Sequence, residues 1–429
     1  MTALPIIETM AGEPPLELVV RPRFPPTRCP RHDSYESRQQ RVHGRVTSVP
    51  VRPSPTRRWS AVQLATVDGQ RLSVCATGSG ELGHALRHPG RGEATGAWSR
   101  SPPAGGVRRI RVRIGYFLSC EEFGPKELVL QAKMAEDAGF DALWISDHFH
   151  PWNDEQGESP FVWSVIGAIS QVCRLPVTTA VTCPTIRMHP AIVAHAAATA
   201  QVMLDGRFIL GVGSGEALNE HIVGDRWPSA DMRLDMLDEA VAVIRKLFSG
   251  DVVNHRGPHY TVENARLYTL PATPPPIYVS AFGPQAARRA AAIGDGFCST
   301  IPDPELLTLF REAGGKGKPA QAGFKVCYDT DVARARATAH RLWANEQLPG
   351  ELAQILPTPQ HFMQASQLVT EQMVGDAVVC GDDIDQHLGA IREYVDAGYD
   401  EVYVNQIGPN QAEFFDFYRA NVLPRLRDH

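Results

Sequence analysis

From about Arg109 onward the chain repeats one pattern: a short apolar run, a break into polar and glycine residues, then an amphipathic stretch of helical period. Strands that alternate with helices are joined in parallel, each helix crossing one face of the sheet, so the rhythm restricts the fold to an α/β architecture. The candidate strands are Arg113–Phe117, Ala142–Ile145, Val177–Thr182, Phe208–Gly213, Ile277–Phe282, Gly296–Thr300, Lys325–Asp329 and Glu401–Gln406. The helices between them carry stop signals: Pro125 to Ala138 ends at Gly139, Pro190 to Leu204 ends before Gly206, and Asp383 to Ala397 ends at Gly398. Eight such units in roughly 320 residues predict a (β/α)8 TIM barrel with insertions. Two stretches leave the rhythm. Asp251 to Leu270 reads as a strand pair around Arg256-Gly257-Pro258, and Glu346 to Glu371 is long and of mixed character. In a barrel such stretches shape the pocket at the strands' C-terminal ends.

Residues 1–108 have a different composition, rich in Pro, Arg, Ser and Gly and without lysine. They hold too little apolar surface to offset chain entropy, so the reading is a largely disordered N-terminal extension before a barrel domain at 109–429. One exception is Ala61 to Cys75, which alternates around Asp68-Gly69 as a hairpin would. The 429-residue chain has a formal net charge of −6 and no long run of one sign in its main part, so nothing favours nucleic acid or a membrane surface. A small-molecule partner is expected. The eight cysteines have no metal-ligand or Cys-x-x-Cys spacing and read as reduced thiols of a cytoplasmic protein. Arg57-Arg58 resembles an export signal, but Gln63, Asp68, Gln70 and Arg71 interrupt the apolar segment that should follow.

Chemistry is concentrated at the strand ends. The second strand breaks into Asp147, His148, Phe149, His150, Pro151 and Trp152. Imidazole exchanges protons near neutral pH, and indole offers a flat apolar wall with one donor, a set suited to a flat organic cofactor. The fourth strand ends in Gly211-Val212-Gly213-Ser214-Gly215-Glu216-Ala217-Leu218-Asn219-Glu220, where glycines admit close backbone approach and Glu216 sits at the expected mouth. A dinucleotide fingerprint fails there, because Glu216 occupies the third glycine position. A metal pair at His148 and His150 would need further ligands that the later strands do not supply, so no metal is expected. Taken singly, His150, His189 and His195 read as hydrogen-bonded structural histidines, Trp144 and Trp163 as core, and Asp147 as a turn brace. His148, Trp152 and Glu216 gain weight by falling together at one face.

The segments Ser146-Asp147-His148-Phe149-His150-Pro151-Trp152, Pro184-Thr185, Gly211 to Glu220 and Gly294-Asp295-Gly296-Phe297 resemble the bacterial-luciferase-like barrel oxidoreductases. Within these they are closest to the branch typified by glucose-6-phosphate dehydrogenase using the deazaflavin coenzyme F420. The likeness runs from about Arg111 to the C-terminus. It implies a deazaflavin across the barrel mouth, contacted by Asp147, the Ala180-Val181 peptide in a non-prolyl cis form, Gly215, Glu216, Asn219 and the backbone of Ser280, Ala281, Phe282 and Gly283. It further implies His148 as the base that takes a hydroxyl proton while a hydride leaves the carbinol carbon, Trp152 packing over the substrate, and Glu216 supplying a proton to the ring. The roles of His148 and Glu216 are interchangeable at this level. Relatives are commonly dimers, so a homodimer is expected.

The chain departs from that branch at its phosphate contacts. Asp303, Gln364 and Asp376 align where cations are usual, and two acids and an amide would not hold a phosphate. Cys183 and Phe282 also differ from the commoner Thr and Gly. The expected substrate is therefore a non-phosphorylated alcohol or carbonyl, or an activated alkene. The alternatives are a flavin mononucleotide-dependent monooxygenase on the same barrel and an inactive cofactor-binding barrel.

Overall fold

The computed structural model describes residues 112–427 and, in the segment before them, short paired strands. The chain divides into two units, Met1–Pro102 and Pro103–His429. In the first, Gln63–Val67 pairs antiparallel with Gln70–Val74, as the expected hairpin requires. The disorder expected for residues 1–108 otherwise lies outside the described residues.

In the second unit the eight barrel strands are β1 (Arg113–Leu118), β2 (Leu143–Ile145), β3 (Val177–Thr179), β4 (Phe208–Val212), β5 (Ile277–Ser280), β6 (Gly296–Ser299), β7 (Ala320–Cys327) and β8 (Glu401–Gln406). Each pairs in parallel with the next, and β8 returns to pair with β1 through Glu401 with Arg113 to Val404 with Tyr116, closing the barrel. The helices α1 (Pro125–Ala138), α2 (Val162–Val172) and α3 (Pro190–Met203) follow the first three strands. Their ends obey local chemistry. At the start of α1 the Glu127 carboxylate accepts the Gly124 amide, and at its end Gly139 adopts a φ of 94° that a side chain would disfavour. Asp383 caps the helix Ile384–Ala397, with Gly398 at its far end. Among the described residues no helix is long and apolar enough to cross a membrane.

The barrel interior is aromatic and tightly filled. Trp144 stacks on Tyr403 with ring centroids 4.6 Å apart and meets Phe117 edge-on at 5.5 Å. Glycine is required opposite these rings, because a Cβ on Gly323 would lie 2.6 Å from Trp144 and one on Gly115 would lie 2.3 Å from Tyr403. Beneath them Gln321 is a fully buried hub: its Oε1 accepts the Trp144 indole N–H, and its Nε2 donates to Glu401 and Tyr403. Loss of a side chain as large and as buried as Trp144 costs about 3–5 kcal/mol.

The structure corrects the expected seventh strand. It begins at Ala320, not Lys325, and ends at Cys327, because Gln321 and Gly323 face the barrel interior, where polarity is satisfied internally and the missing side chain is a packing need. The expected strands at 177–182, 208–213 and 277–282 also stop short, at Thr179, Val212 and Ser280, and their remainders are mouth loops. The first insertion is the expected ribbon, Val253–Arg256 against Thr261–Ala265. The second is helical, with short helices at Leu352–Ile355 and Pro359–Ser366.

His387, on the helix Ile384–Ala397, is fully buried. Its Nε2–H donates to the Gly381 carbonyl and its Nδ1 accepts from the Tyr418 hydroxyl, which holds the ring neutral. Burial lowers its pKa below the ordinary value, against opposing pulls from the Gly381 carbonyl, Asp383 and Asp382. A depressed folded pKa makes the unfolded chain the better proton binder, so this contribution is complete above the unfolded value of about 6.5 and is lost as pH falls through the lower folded value. Urea unfolding of wild type should therefore lose stability below about pH 6.5 more steeply than His387→Gln. The variant should also be about 1–2 kcal/mol less stable at pH 8.

Candidate active site

The C-terminal ends of β1, β2 and β4 converge on one imidazole. His148 follows β2 by three residues, and its Nε2 lies 3.5 Å from Glu121 Oε1, beyond β1, and 3.6 Å from Glu216 Oε2, beyond β4. Asn219, on the short helix α4 (Ala217–Glu220), ties the loops together. Its Oδ1 accepts the amides of Phe149 at 2.9 Å and His150 at 3.2 Å, so its Nδ2 must face the other way. There it stands 3.1 Å from both Glu216 Oε2 and His148 Nδ1. Two neutral tautomers of His148 are compatible with these contacts. A proton on Nδ1 satisfies the His150 carbonyl at 3.2 Å and leaves a lone pair on Nε2, whereas accepting from Asn219 at Nδ1 puts the proton on Nε2 between the carboxylates.

The two flanking acids are driven in opposite directions. Burial works to raise Glu121, but His148, the Ser146 hydroxyl and Lys325 outweigh it and hold this carboxyl below its ordinary value. Glu216 is raised, by burial first and by the nearby Glu121 and Glu220, with His148 opposing. Two acids pushed apart in this way on either side of one imidazole are suited to divided acid–base roles. Next to Glu121, Glu122 accepts from the Trp343 indole and the Gly408 amide, and burial pushes its pKa up to about 7.

Trp152 forms one wall. Its ring centroid is 5.1 Å from that of His148, and on the other side it meets Phe362 edge-on at 5.0 Å. Phe362 comes from the helical insertion between β7 and β8.

Asp147 is a braced carboxylate, 3 % exposed. Thr182 Oγ1 donates to its Oδ2 at 2.7 Å and Arg187 Nη2 to its Oδ1 at 2.8 Å. Arg187 Nε also faces Glu220 Oε1 at 3.5 Å, and Glu220 Oε2 accepts the amides of Ile186 and Arg187.

The loops after β3, β4 and β5 meet at Gly213, where a Cβ would lie 2.7 Å from Val181 Cγ2 and 3.9 Å from Ser280 Cβ. The Ala180-Val181 peptide is cis. Gly215 has a φ of +89°, and a Cβ there would press on Glu220 and Trp227. Ala281 is buried, Phe282 is half exposed, and Gly283 faces open space before the helix Pro284–Ile293. Small residues, an exposed phenyl ring and open space on one side make a cradle suited to a flat ring system.

The sequence-derived residues thus come together, with Asp147 braced from below. Glu121, Arg187 and Phe362 were not singled out from sequence. Glu121 carried a usable signal, since Ser119-Cys120-Glu121-Glu122 is the same polar break after a strand that marked the others. His150 and His189 have structural roles: the His150 ring bonds to the Leu218 carbonyl, and His189 caps α3. Asp303 caps the helix Pro304–Phe310 by accepting the Glu305 and Leu306 amides, and Asp376 accepts from Gln372. The six cysteines among the described residues are free thiols.

Replacing Arg187 by Met would leave Asp147 and Glu220 buried without their cation. The variant should lose about 3–5 kcal/mol of stability at pH 8, measured by denaturant unfolding, and recover part of it at pH 5 as the carboxylates protonate.

Comparison with known proteins places this geometry among related ones. The model of the luciferase-like monooxygenase family matches residues 110–401. An F420-dependent glucose-6-phosphate dehydrogenase of Nakamurella multipartita is 38% identical over 330 residues, covering 74% of this chain and 97% of the relative. One from Microbacterium testaceum is 35% identical, covering 74% of this chain and 98% of its own. Among solved structures, an F420-dependent secondary alcohol dehydrogenase in complex with an F420-acetone adduct superposes with a TM-score of 0.69 at 31% identity, covering 74% of this chain and all of the other.

Proposed function

The chain belongs to the luciferase-like monooxygenase family, and on that premise we propose that it is a coenzyme F420-dependent oxidoreductase that exchanges a hydride with a non-phosphorylated alcohol or carbonyl substrate in the cytoplasm. The observation that carries this reading is one imidazole, His148, between one acid whose pKa is lowered and one whose pKa is raised, beside a cradle of small residues. The cradle formed by the Ala180-Val181 peptide, Gly213, Gly215 and the Ser280 to Gly283 segment would hold the deazaflavin. When bound, the deazaflavin supplies a two-electron hydride acceptor.

His148 in the tautomer protonated at Nδ1 takes the substrate hydroxyl proton at Nε2 while the carbinol C–H bond breaks and its electron pair departs with the hydride, leaving a carbonyl. Glu121 stabilises the imidazolium that results. Glu216, with its raised pKa, holds a proton beside the ring system. Trp152, wedged between His148 and Phe362, shapes the space over the carbinol and excludes water. Asp147 acts through its brace to Arg187 and Thr182, setting the loop from which His148 projects.

The non-phosphorylated substrate is inferred from Asp303, Gln364 and Asp376. Asp303 is engaged as a helix cap, and neither it nor Asp376 offers a cation to a phosphate. The related glucose-6-phosphate dehydrogenases are named for a phosphorylated sugar, so substrate choice is where this chain diverges in our reading.

Titration with deazaflavin and with flavin mononucleotide, followed by fluorescence, tests cofactor choice. Saturable deazaflavin binding and its reduction by secondary alcohols or unphosphorylated sugars are expected. His148→Asn should keep deazaflavin binding and lower kcat about 10²–10⁴-fold. Oxygen consumption with reduced flavin mononucleotide would instead favour a monooxygenase, and saturable turnover of glucose 6-phosphate would reject the substrate class.

We also read the enzyme as a homodimer. Helices α2 and α3 contain no Asp, Glu, Lys or Arg, and Phe161, Ile192 and Met203 beside them are exposed. An uncharged apolar face is matched by a second copy of itself. Analytical ultracentrifugation should find a dimer, and Ile192→Glu a monomer; a monomeric wild type would refute this.

A further inference from the structure

Residues alternate along a strand, so Gln321 and Gly323 inside the barrel place Lys325 inside as well, one layer nearer the mouth. Tyr403 does the same for Asn405, and Lys325 and Asn405 are register partners on β7 and β8. They therefore stand side by side in the floor of the mouth.

Lys325 is nearly buried, with 11% of its side chain exposed. Glu346 pairs with its ammonium, which lies 4.0 Å from the Trp343 ring centroid and 5.7 Å from that of Phe117. An ammonium has three donors, so an ion pair with one carboxylate leaves donor capacity. Its charge reaches Glu121, the partner of His148. Asn405 is fully buried, and its Nδ2 donates to the Phe117 carbonyl at 2.8 Å. That carbonyl can only accept, so the amide cannot be reversed and Oδ1 must point the other way. Oδ1 has no partner among the described residues. A buried acceptor left unpaired is costly, and here it belongs to the register partner of a lysine with donor capacity to spare.

A hydroxyl group is at once donor and acceptor and would satisfy both. We propose that Lys325 and Asn405 grip a second hydroxyl of the substrate, Lys325 Nζ donating to its oxygen and Asn405 Oδ1 accepting its proton, which makes the preferred substrate a vicinal diol or unphosphorylated sugar. This rests on the oxidoreductase reading above and refines it. Lys325 and Asn405 are positioning residues for that substrate and take no part in the proton transfer at His148.

The test compares 1,2-propanediol with 2-propanol, which lacks the second hydroxyl, using the deazaflavin-loaded enzyme. Wild type should favour the diol in kcat/KM by about 10- to 100-fold. Asn405→Leu should remove most of that preference through KM of the diol, leaving 2-propanol within about two-fold, and Lys325→Met should remove it as well, any effect it has through Glu121 appearing equally in kcat of both alcohols. A diol preference that survives in both variants, or no diol preference in wild type, overturns the proposal. Saturation-transfer NMR of both alcohols with the protein, with and without deazaflavin, gives a readout independent of turnover. If neither alcohol is oxidised, the oxidoreductase reading fails by itself. The hydroxyl pair then stands if the diol alone shows saturable contact that both variants abolish, and falls if the two alcohols respond alike.

Discussion

Closure of the sheet, by the parallel pairing of β8 with β1, is the constraint on which everything else rests. An open sheet would leave the loops after β1, β2 and β4 spread along an edge, whereas a closed one turns all of them toward one opening. The lower end of the seam is pinned by chemistry rather than by backbone alone. Arg113 pairs with Glu401 across it, and Gln321 ties Glu401, Tyr403 and Trp144 into a single buried network. With that end plugged by mutually satisfied polar groups, the upper end is free to carry groups that do not satisfy one another. That end holds the reactive set, a histidine between two acids, and also an amide oxygen without a partner among the described residues and a lysine with donors to spare.

Much of the barrel was legible because its signals are local. The α1 limits at Pro125 and Ala138 follow from a proline and a glycine whose backbone preferences hold anywhere, and the strand break after Ile145 follows from residues unsuited to a buried ladder. Where the reading failed, the deciding interaction was distant. Ala320 to Gly323 does not look like a strand core, since Gln321 is polar and Gly323 is a poor strand former; each makes sense only once Trp144 and Tyr403 lie opposite. The strand ends at Thr179 and Ser280 were overrun for a related reason, as apolar residues continue into loops that pack against one another at the mouth.

The site divides in the same way. His148, Trp152 and Glu216 stood out because polar residues crowd two strand ends, Asn219 was implied by the family resemblance, and the structure gathers them. Asp147 was legible as a residue of the mouth but not as a carboxylate braced by Arg187, because their meeting depends on how the β3 loop folds back. Glu121 was hidden by context: two acids after a strand read as ordinary surface until Ser119, Ser146 and His148 close around the first of them. The divergence of Glu121 and Glu216 then arises from surroundings alone, since the side chains are identical. Burial acts on both, but at Glu216 it prevails with neighbouring acids adding to it, whereas at Glu121 the His148 ring, a hydroxyl donor and a lysine outweigh it.

The contact between Trp152 and Phe362 separates two kinds of inheritance. Proton-handling groups sit within a few residues of the ends of β1, β2 and β4, whose positions the barrel dictates, while the opposing wall belongs to a helical excursion between β7 and β8 that the barrel leaves unconstrained. Descendants of such a chain are at liberty to exchange one clientele for another by rewriting the excursion, with the reacting centre passed down intact.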